Sequence, residues 1–400
     1  MPPQEWSFLV ILHTFESEKR DKLRIGCDIL AQPETYITSP KKMFRSCELL
    51  YKFPVQFFEQ LIGTQTGLVV AFLAVAALVV LSGIRLSIYG DALGDRTGLG
   101  SGLIGLVFLA AVTSLPELVV SLTSVIQNAD LSKGADLATG NMLGSNVFNL
   151  LILALMALIF PRKFDPTKLE NPHTDSTVYG LIMLGIFSIA FLTTNMAAMR
   201  VPVLGCSWPV LALPIAYAIM IKREHGQLEP VQEKHLPSES RLAQLPAIRF
   251  YNVLLLLCAC IIGGGILLSM LGSRMALPPE QGGFGLEATL IGTLFLAVST
   301  SLPELVISFS SVRMGFLDMS VGNVLGSNMF NLLIIFAADV AMRGGSMLRN
   351  ASPSHWASVG MIFLLTLLAA VLLRARRPRE SITVACVMIL FYIAAISFFA

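Results

Sequence analysis

The sequence predicts an all-α polytopic membrane protein of about ten transmembrane helices in two inverted five-helix repeats, and three observations carry that expectation. Hydrophobic residues make up 54% of the 400 and charged residues only 14%, against about 25% charged in an ordinary soluble domain. Charge-poor stretches of about 20 residues, the length that crosses a bilayer, recur along the whole chain. Two polar motifs inside these stretches each occur twice, in the same order.

Taken in order, the candidate spans are 66–84, 101–128, 137–160, 177–198 and 201–221, then 251–272, 284–312, 320–341, 355–373 and 382–400. This divides the chain into a first repeat at 61–221, a linker at 222–249 and a second repeat at 250–400, preceded by a polar extension at 1–60. The extension holds eight Lys or Arg and eight Asp or Glu with only short apolar runs such as Phe8 to Leu12, so it does not span. It also lacks the basic start, apolar core and small-residue cleavage site of a signal peptide. It reads as a mobile tail, as a start placed ahead of a true one at Met43, or as an amphipathic segment lying on the membrane.

Ser114-Leu-Pro-Glu-Leu-Val-Val-Ser-Leu-Thr-Ser-Val125 recurs as Ser301-Leu-Pro-Glu-Leu-Val-Ile-Ser-Phe-Ser-Ser-Val312, matching at nine of twelve positions. Gly140-Asn-Met-Leu-Gly-Ser-Asn-Val-Phe-Asn-Leu-Leu-Ile152 recurs as Gly322-Asn-Val-Leu-Gly-Ser-Asn-Met-Phe-Asn-Leu-Leu-Ile334, matching at eleven of thirteen. The chain is an internal duplication. The spacing between the motifs differs by five residues in the two copies, a difference expected to fall in the intervening turn. An odd number of spans per copy inserts the second copy upside down, so that the motifs face each other about an axis in the membrane plane. The loops after spans 1, 3, 5, 7 and 9 carry 15 Lys or Arg and those on the other side 5. By the positive-inside rule the first set, with the central loop, is cytoplasmic and both termini are outside.

Glu117 and Glu304 stand in the middle of otherwise charge-free segments, where an ionised group costs at least ~2.5 kcal/mol unless paired or hydrated. Each follows a proline. Pro116 and Pro303 remove the donors for the carbonyls of Val112 and Ser299, so each helix is expected to break there. The break would place the glutamate in the first turn of the next half-helix, at its positive dipole end. Thr113 and Ser114, and likewise Thr300 and Ser301, precede the glutamates by four and three residues and can share their face. In the next span Asn141, Ser145 and Asn149 form a polar stripe, as do Asn323, Ser327 and Asn331. An all-oxygen ligand set without His or Cys suits sodium or calcium and disfavours transition metals. Any single Ser or Asn here could equally bond its own backbone or tie helices together. Gly140, Gly144, Gly322 and Gly326 have the small-xxx-small spacing of packing residues. Asp339, whose counterpart in the first copy is Ala157, reads as interfacial.

Residues 105–117 with 140–149, and their second copies, resemble the two alpha repeats of the cation/calcium exchanger superfamily, most closely the short prokaryotic sodium/calcium exchanger type. The resemblance covers the chain from about residue 66 to the end. It implies a ten-helix fold in two inverted halves, with ion sites between spans 2, 3, 7 and 8. By motif position it implies Thr113, Ser114, Glu117, Ser145 and Asn149 as ligands, with Thr300, Ser301, Glu304, Ser327 and Asn331 from the second copy. Ala110 and Ala297 would lend backbone carbonyls. Several members of the superfamily have Asp where this chain has Asn331, so only two carboxylates remain here. One calcium, two sodium ions or two protons would neutralise them, and the counter-ion stays open at this point.

The expected function is therefore an antiporter in the cell (inner) membrane exchanging calcium for sodium, with calcium/proton or sodium/proton exchange as the alternative. No cofactor is implied, and the oligomeric state is left open. A cation channel would need a continuous hydrated pore. An intramembrane enzyme lacks a Ser/His, Cys/His or His/His/Glu arrangement, the five histidines lying outside the spans or at their edges. The net charge of +2 gives no field for nucleic acid. The six cysteines have no paired spacing that suggests disulfides or zinc. The central loop of about 27 residues is too short to fold a calcium-sensing domain.

Overall fold

The computed structural model describes residues 63–128, 130–169, 173–196, 206, 208–226, 242, 244–285, 299–342 and 345–399. The N-terminal extension, most of the linker and Ala297 lie outside the described residues. Among those described there are ten principal helices and no strand. The first half supplies α1 (Gln65–Thr97), α2 (Ser101–Gln127), α3 (Leu131–Ile159), α4 (Thr174–Thr193) and α5 (Ala212–Gly226). The second supplies α6 (Ala247–Ala276), α7 (Leu302–Met314), α8 (Leu317–Ala341), α9 (His355–Leu372) and α10 (Pro378–Phe399). Eight are long and apolar enough to cross a membrane. α5, with 15 residues, and the described part of α7, with 13, are shorter.

Helix α1 outruns its apolar stretch, continuing past Arg85 to Thr97. Apolar composition ends there, but the hydrogen-bond ladder does not, because the polar end has partners. The Arg96 guanidinium donates to the carbonyl of Leu245 and lies 4.2 Å from the centroid of the Phe250 ring, against the start of α6. The Thr97 hydroxyl closes the last turn on the carbonyl of Leu93 at 2.8 Å.

Helices α3 and α8 form the centre. In their most apolar 18-residue stretches 72% and 67% is buried, against 33% in α1 and 22% in α10, so the outer helices give their apolar sides to lipid. Val70, Leu73, Leu78 and Leu81 of α1 are exposed in this way. α3 packs against α9 and α10, the last two helices of the other half, and α8 packs against α4 and α5 in the same manner. Each half therefore wraps the central helix of its counterpart.

The close packing of α2 on α8 fixes their relative direction. A Cβ on Gly322 would meet the backbone of Gly102 and Leu106, and one on Gly326 would meet Leu106 and Ala110, so both residue numbers rise together and the helices run parallel. α3 returns antiparallel to α2 after three residues, which sets α3 and α8, equivalent helices of the two copies, in opposite directions. Inversion is visible again in two His–Asp contacts. Asp136 and Asp318 are 182 positions apart, as are His173 and His355. His355 Nε2 lies 3.2 Å from Asp136 Oδ1, and His173 Nε2 lies 3.5 Å from Asp318 Oδ1, near the N-terminal ends of the two antiparallel central helices.

One expectation needs correction. The five-residue difference between copies is not taken up by the turn: the α2–α3 and α7–α8 connections, residues 128–130 and 315–316, differ by one residue. The other four extend the N-terminus of α3. Four residues add about one helical turn, which leaves the inward face nearly unchanged. The shorter connection requires Gly315, at φ +99°, with the Phe316 N–H returning to the Ser311 carbonyl at 2.9 Å.

Asp339 is fully buried, accepting from the Ser346 hydroxyl at 2.6 Å and from the Leu348 N–H at 3.2 Å, and so caps the single turn Met347–Asn350. The second glycine pair, Gly322 and Gly326, touches backbone, and the described neighbour of Gly140 is the His355 ring. The residues equivalent to 102–110 in the second copy, 289–297, lie outside the described residues.

Candidate cation site

Pro116 lies inside α2, and the helix does not break there. α2 begins as α-helix, passes through a π stretch from Ile104 to Leu109 and returns to α geometry from Ala110 to Gln127. A proline in a membrane helix is tolerated where neighbouring helices, Ser or Thr hydroxyls and local π adjustments take up the misfit. All three are present: α8 against the π stretch, the Thr113 hydroxyl on the Ala110 carbonyl at 3.3 Å, and the π stretch itself. Glu117 consequently sits in mid-helix, not in a first turn. In the second copy the helix is interrupted, two residues before the proline. Ser301 leaves helical geometry with φ −98° and ψ 17°, and α7 then starts with Glu304 in its first turn.

The residues expected at the site converge from both copies. The hydroxyls of Thr113 on α2 and Ser327 on α8 are 3.2 Å apart. Ser114 donates to Glu304 Oε1 at 3.3 Å. The Ser301 hydroxyl meets that of Ser145 on α3 at 3.4 Å. Glu117 and Glu304 are each 1% exposed and near enough for their charges to repel. Asn149, Asn331 and Ala110 are buried, and Thr300 is half-buried. The site thus sits where α2, α3, α7 and α8 meet.

Among the described residues, both carboxylate oxygens of Glu117, Oε2 of Glu304, and Oδ1 of Asn149 and Asn331 are buried without a hydrogen-bond partner. A buried polar atom left unpaired costs about 1–3 kcal/mol, more when charged. Such oxygens, two carboxyl groups among their owners, match the needs of a hard cation, which takes oxygen ligands and supplies the missing positive charge.

The polar stripes divide in two. Asn141 donates to the Glu117 carbonyl at 3.3 Å and to the Ser121 hydroxyl at 3.0 Å. Its counterpart Asn323 donates to Ser308 at 2.9 Å. These asparagines tie the helices of one copy together, while Ser145 and Ser327 meet Ser301 and Thr113 across the copies, and Asn149 and Asn331 follow one turn later on the same helices. Sequence reasoning missed Asn146 and Asn328. Asn328 Nδ2 donates to the Asn146 carbonyl at 3.3 Å, and Asn331 Nδ2 donates to Asn146 Oδ1 at 3.0 Å. Their shared place in the Gly-Ser-Asn tripeptide of each motif was the available signal. A second missed repeat, Gly83-Ile-Arg-Leu-Ser87 against Gly265-Ile-Leu-Leu-Ser269, brings α1 and α6 close to the site. A Cβ on Gly83 would meet the Val306 side chain at 2.8 Å, and one on Gly265 would meet Pro116 at 2.5 Å.

The family model described as sodium/calcium exchanger protein matches residues 67–221 and 251–400. The inner membrane protein YrbG of Escherichia coli is 29% identical over 274 residues, 67% of this chain and 78% of the relative. The sodium/calcium exchanger MaX1 of Methanosarcina acetivorans is 27% identical over 276 residues, 61% of this chain and 74% of the relative. The solved structure of the sodium-calcium exchanger NCX_Mj superposes with a TM-score of 0.58 at 20% identity, covering 82% of this chain and 98% of that one, which is a likeness of fold. With both halves matched and the fold shared, the chain belongs to the sodium/calcium exchanger family of multi-pass membrane transporters.

Proposed function

We propose that the chain is a secondary antiporter exchanging calcium for sodium by alternating access at a single midplane site. The observation that carries the reading is the set of buried oxygens, unpartnered among the described residues, contributed by Glu117, Glu304, Asn149 and Asn331. Two carboxylates balance one calcium or two sodium ions, so the two cargoes can exchange at the same oxygens without leaving a net charge in a low-dielectric site. In this reading Glu117 and Glu304 supply charge. Thr113, Ser114, Ser145, Asn149, Thr300, Ser301, Ser327 and Asn331 supply neutral oxygens, with the backbone carbonyls of Ala110 and Ala297. The relative MaX1, a sodium/calcium exchanger by name, supports the same pair of ions.

Purified protein in sealed, sodium-loaded vesicles should take up radioactive calcium when diluted into sodium-free buffer. Uptake driven by a pH gradient instead, and indifferent to sodium, would replace sodium by protons as counter-ion. The reading further takes 61–221 and 250–400 as inverted repeats in an inner membrane, as the name of the Escherichia coli relative suggests, with linker 222–249 cytoplasmic and both termini outside. A cysteine introduced into the linker should react with an impermeant thiol reagent only in inside-out vesicles. Reaction in intact cells would reverse the orientation.

A further inference from the structure

Asn146 and Asn328 are equivalent residues, 182 positions apart, and they touch each other. The local two-fold relation between the copies therefore passes close to this contact. A symmetric arrangement would give each amide a matching partner, but the contact is one-sided. Both donors point to the same residue: Asn328 Nδ2 to the Asn146 backbone carbonyl, Asn331 Nδ2 to the Asn146 side-chain oxygen. Asn149, the equivalent of Asn331, has neither its nitrogen nor its oxygen engaged.

An amide beside a cation site can present either end. Its oxygen is a ligand, while its NH2 group, a donor with partial positive charge, repels the ion. At Asn331 the choice is made by Asn146, whose Oδ1 takes the amide hydrogen and leaves Asn331 Oδ1 buried and unpartnered. We infer that Asn146 is a positioning residue, which touches no cargo but turns the carbonyl of Asn331 toward the cation. Among the described residues Asn149 has no such partner. The inference rests on the cation reading of the Glu117 and Glu304 region.

The test is a double-mutant cycle read by binding. Calcium and sodium are titrated against the thermal unfolding of the purified, detergent-solubilised full chain. In Asn146→Ala the calcium affinity should fall about tenfold, the lower end of the range for partners that orient metal ligands. In Asn331→Asp either orientation of the side chain presents oxygen, so adding Asn146→Ala to it should change affinity less than twofold. An equal loss in both backgrounds would show a general structural role and overturn the inference, as would wild-type affinity in Asn146→Ala. If Asn146→Ala does not fold, Asn146→Ser is carried through the same cycle with the same outcomes. A wild-type chain whose unfolding responds to neither cation would overturn the exchange reading and this inference with it. A responsive wild type with an additive cycle overturns this inference alone.

Discussion

The two copies match at nine of twelve positions around their glutamates, yet α2 runs through its proline as one helix and α7 starts afresh at Leu302. The proline is the same, so the difference comes from the surroundings. The upstream half of α2, with its π stretch, is held close against Gly322 and Gly326 of α8. The consequence is electrostatic. Glu304 stands at the positive end of α7 and accepts from Ser114, while Glu117 has a mid-helix position and no partner for either oxygen. Equal sequence has produced two unequal acids.

The largest effect that tests this comparison is on transport. Glu117→Gln and Glu304→Gln each remove half the negative charge available to a divalent ion, and calcium uptake into sodium-loaded vesicles should fall about a hundredfold or more in both. The inequality should appear in stability. Without cations, Glu117→Gln should raise stability in detergent by about 1–3 kcal/mol, since it removes an unpaired buried charge. Glu304→Gln should gain less. Equal gains in thermal unfolding would show that the two environments do not differ in energy.

A smaller effect tests the hold of α8 on α2. Gly326→Ala places a methyl group into the Leu106 carbonyl and should cost about 1–3 kcal/mol as overpacking. An unchanged thermal melt would mean that the two backbones are not in contact there.

Smallest is the contrast between the His–Asp pairs. The His173–Asp318 side chains are 2% and 11% exposed, whereas those of His355–Asp136 are 14% and 42% exposed. Asp318→Asn should cost about 1–2 kcal/mol through loss of the carboxylate that lies 3.5 Å from the buried His173 ring. Asp136→Asn should stay within about 0.5 kcal/mol, because solvent screens the pair and the amide oxygen can still accept from the Ser352 N–H. The reverse order would place the buried pair's partner elsewhere.

Much of the site could be read along the chain because a duplicated sequence marks its own exceptions. A carboxylate that recurs after a proline in two charge-free segments stands out without coordinates, and so do the Ser and Asn that recur beside it. Where the reading failed, the cause was contact. The turn between motifs was expected to absorb five residues, but α3 could lengthen by a turn at its end while keeping its inward face. Asn141 and Asn149 look alike four residues on either side of Ser145, but one meets the Glu117 carbonyl on α2 and the other an unpartnered buried space. Asn146 recurs in the Gly-Ser-Asn tripeptide of both motifs, but that it meets Asn328 and Asn331 is a matter of contact across the copies.

The sequence by itself determined that this chain lives in a bilayer, is built twice over and concentrates oxygen around Glu117 and Glu304. Those properties follow from hydropathy and from order along the chain, which need no knowledge of who meets whom. Only the tertiary structure decided that α2 continues through Pro116 while Ser301 interrupts, that Asp339 caps a buried turn, and that Asn331 donates to Asn146. Each of these depends on contacts that order does not specify, the last on a hydrogen bond between residues 185 positions apart. A backbone with its own donors and acceptors satisfied in either shape takes the one its neighbours pack against.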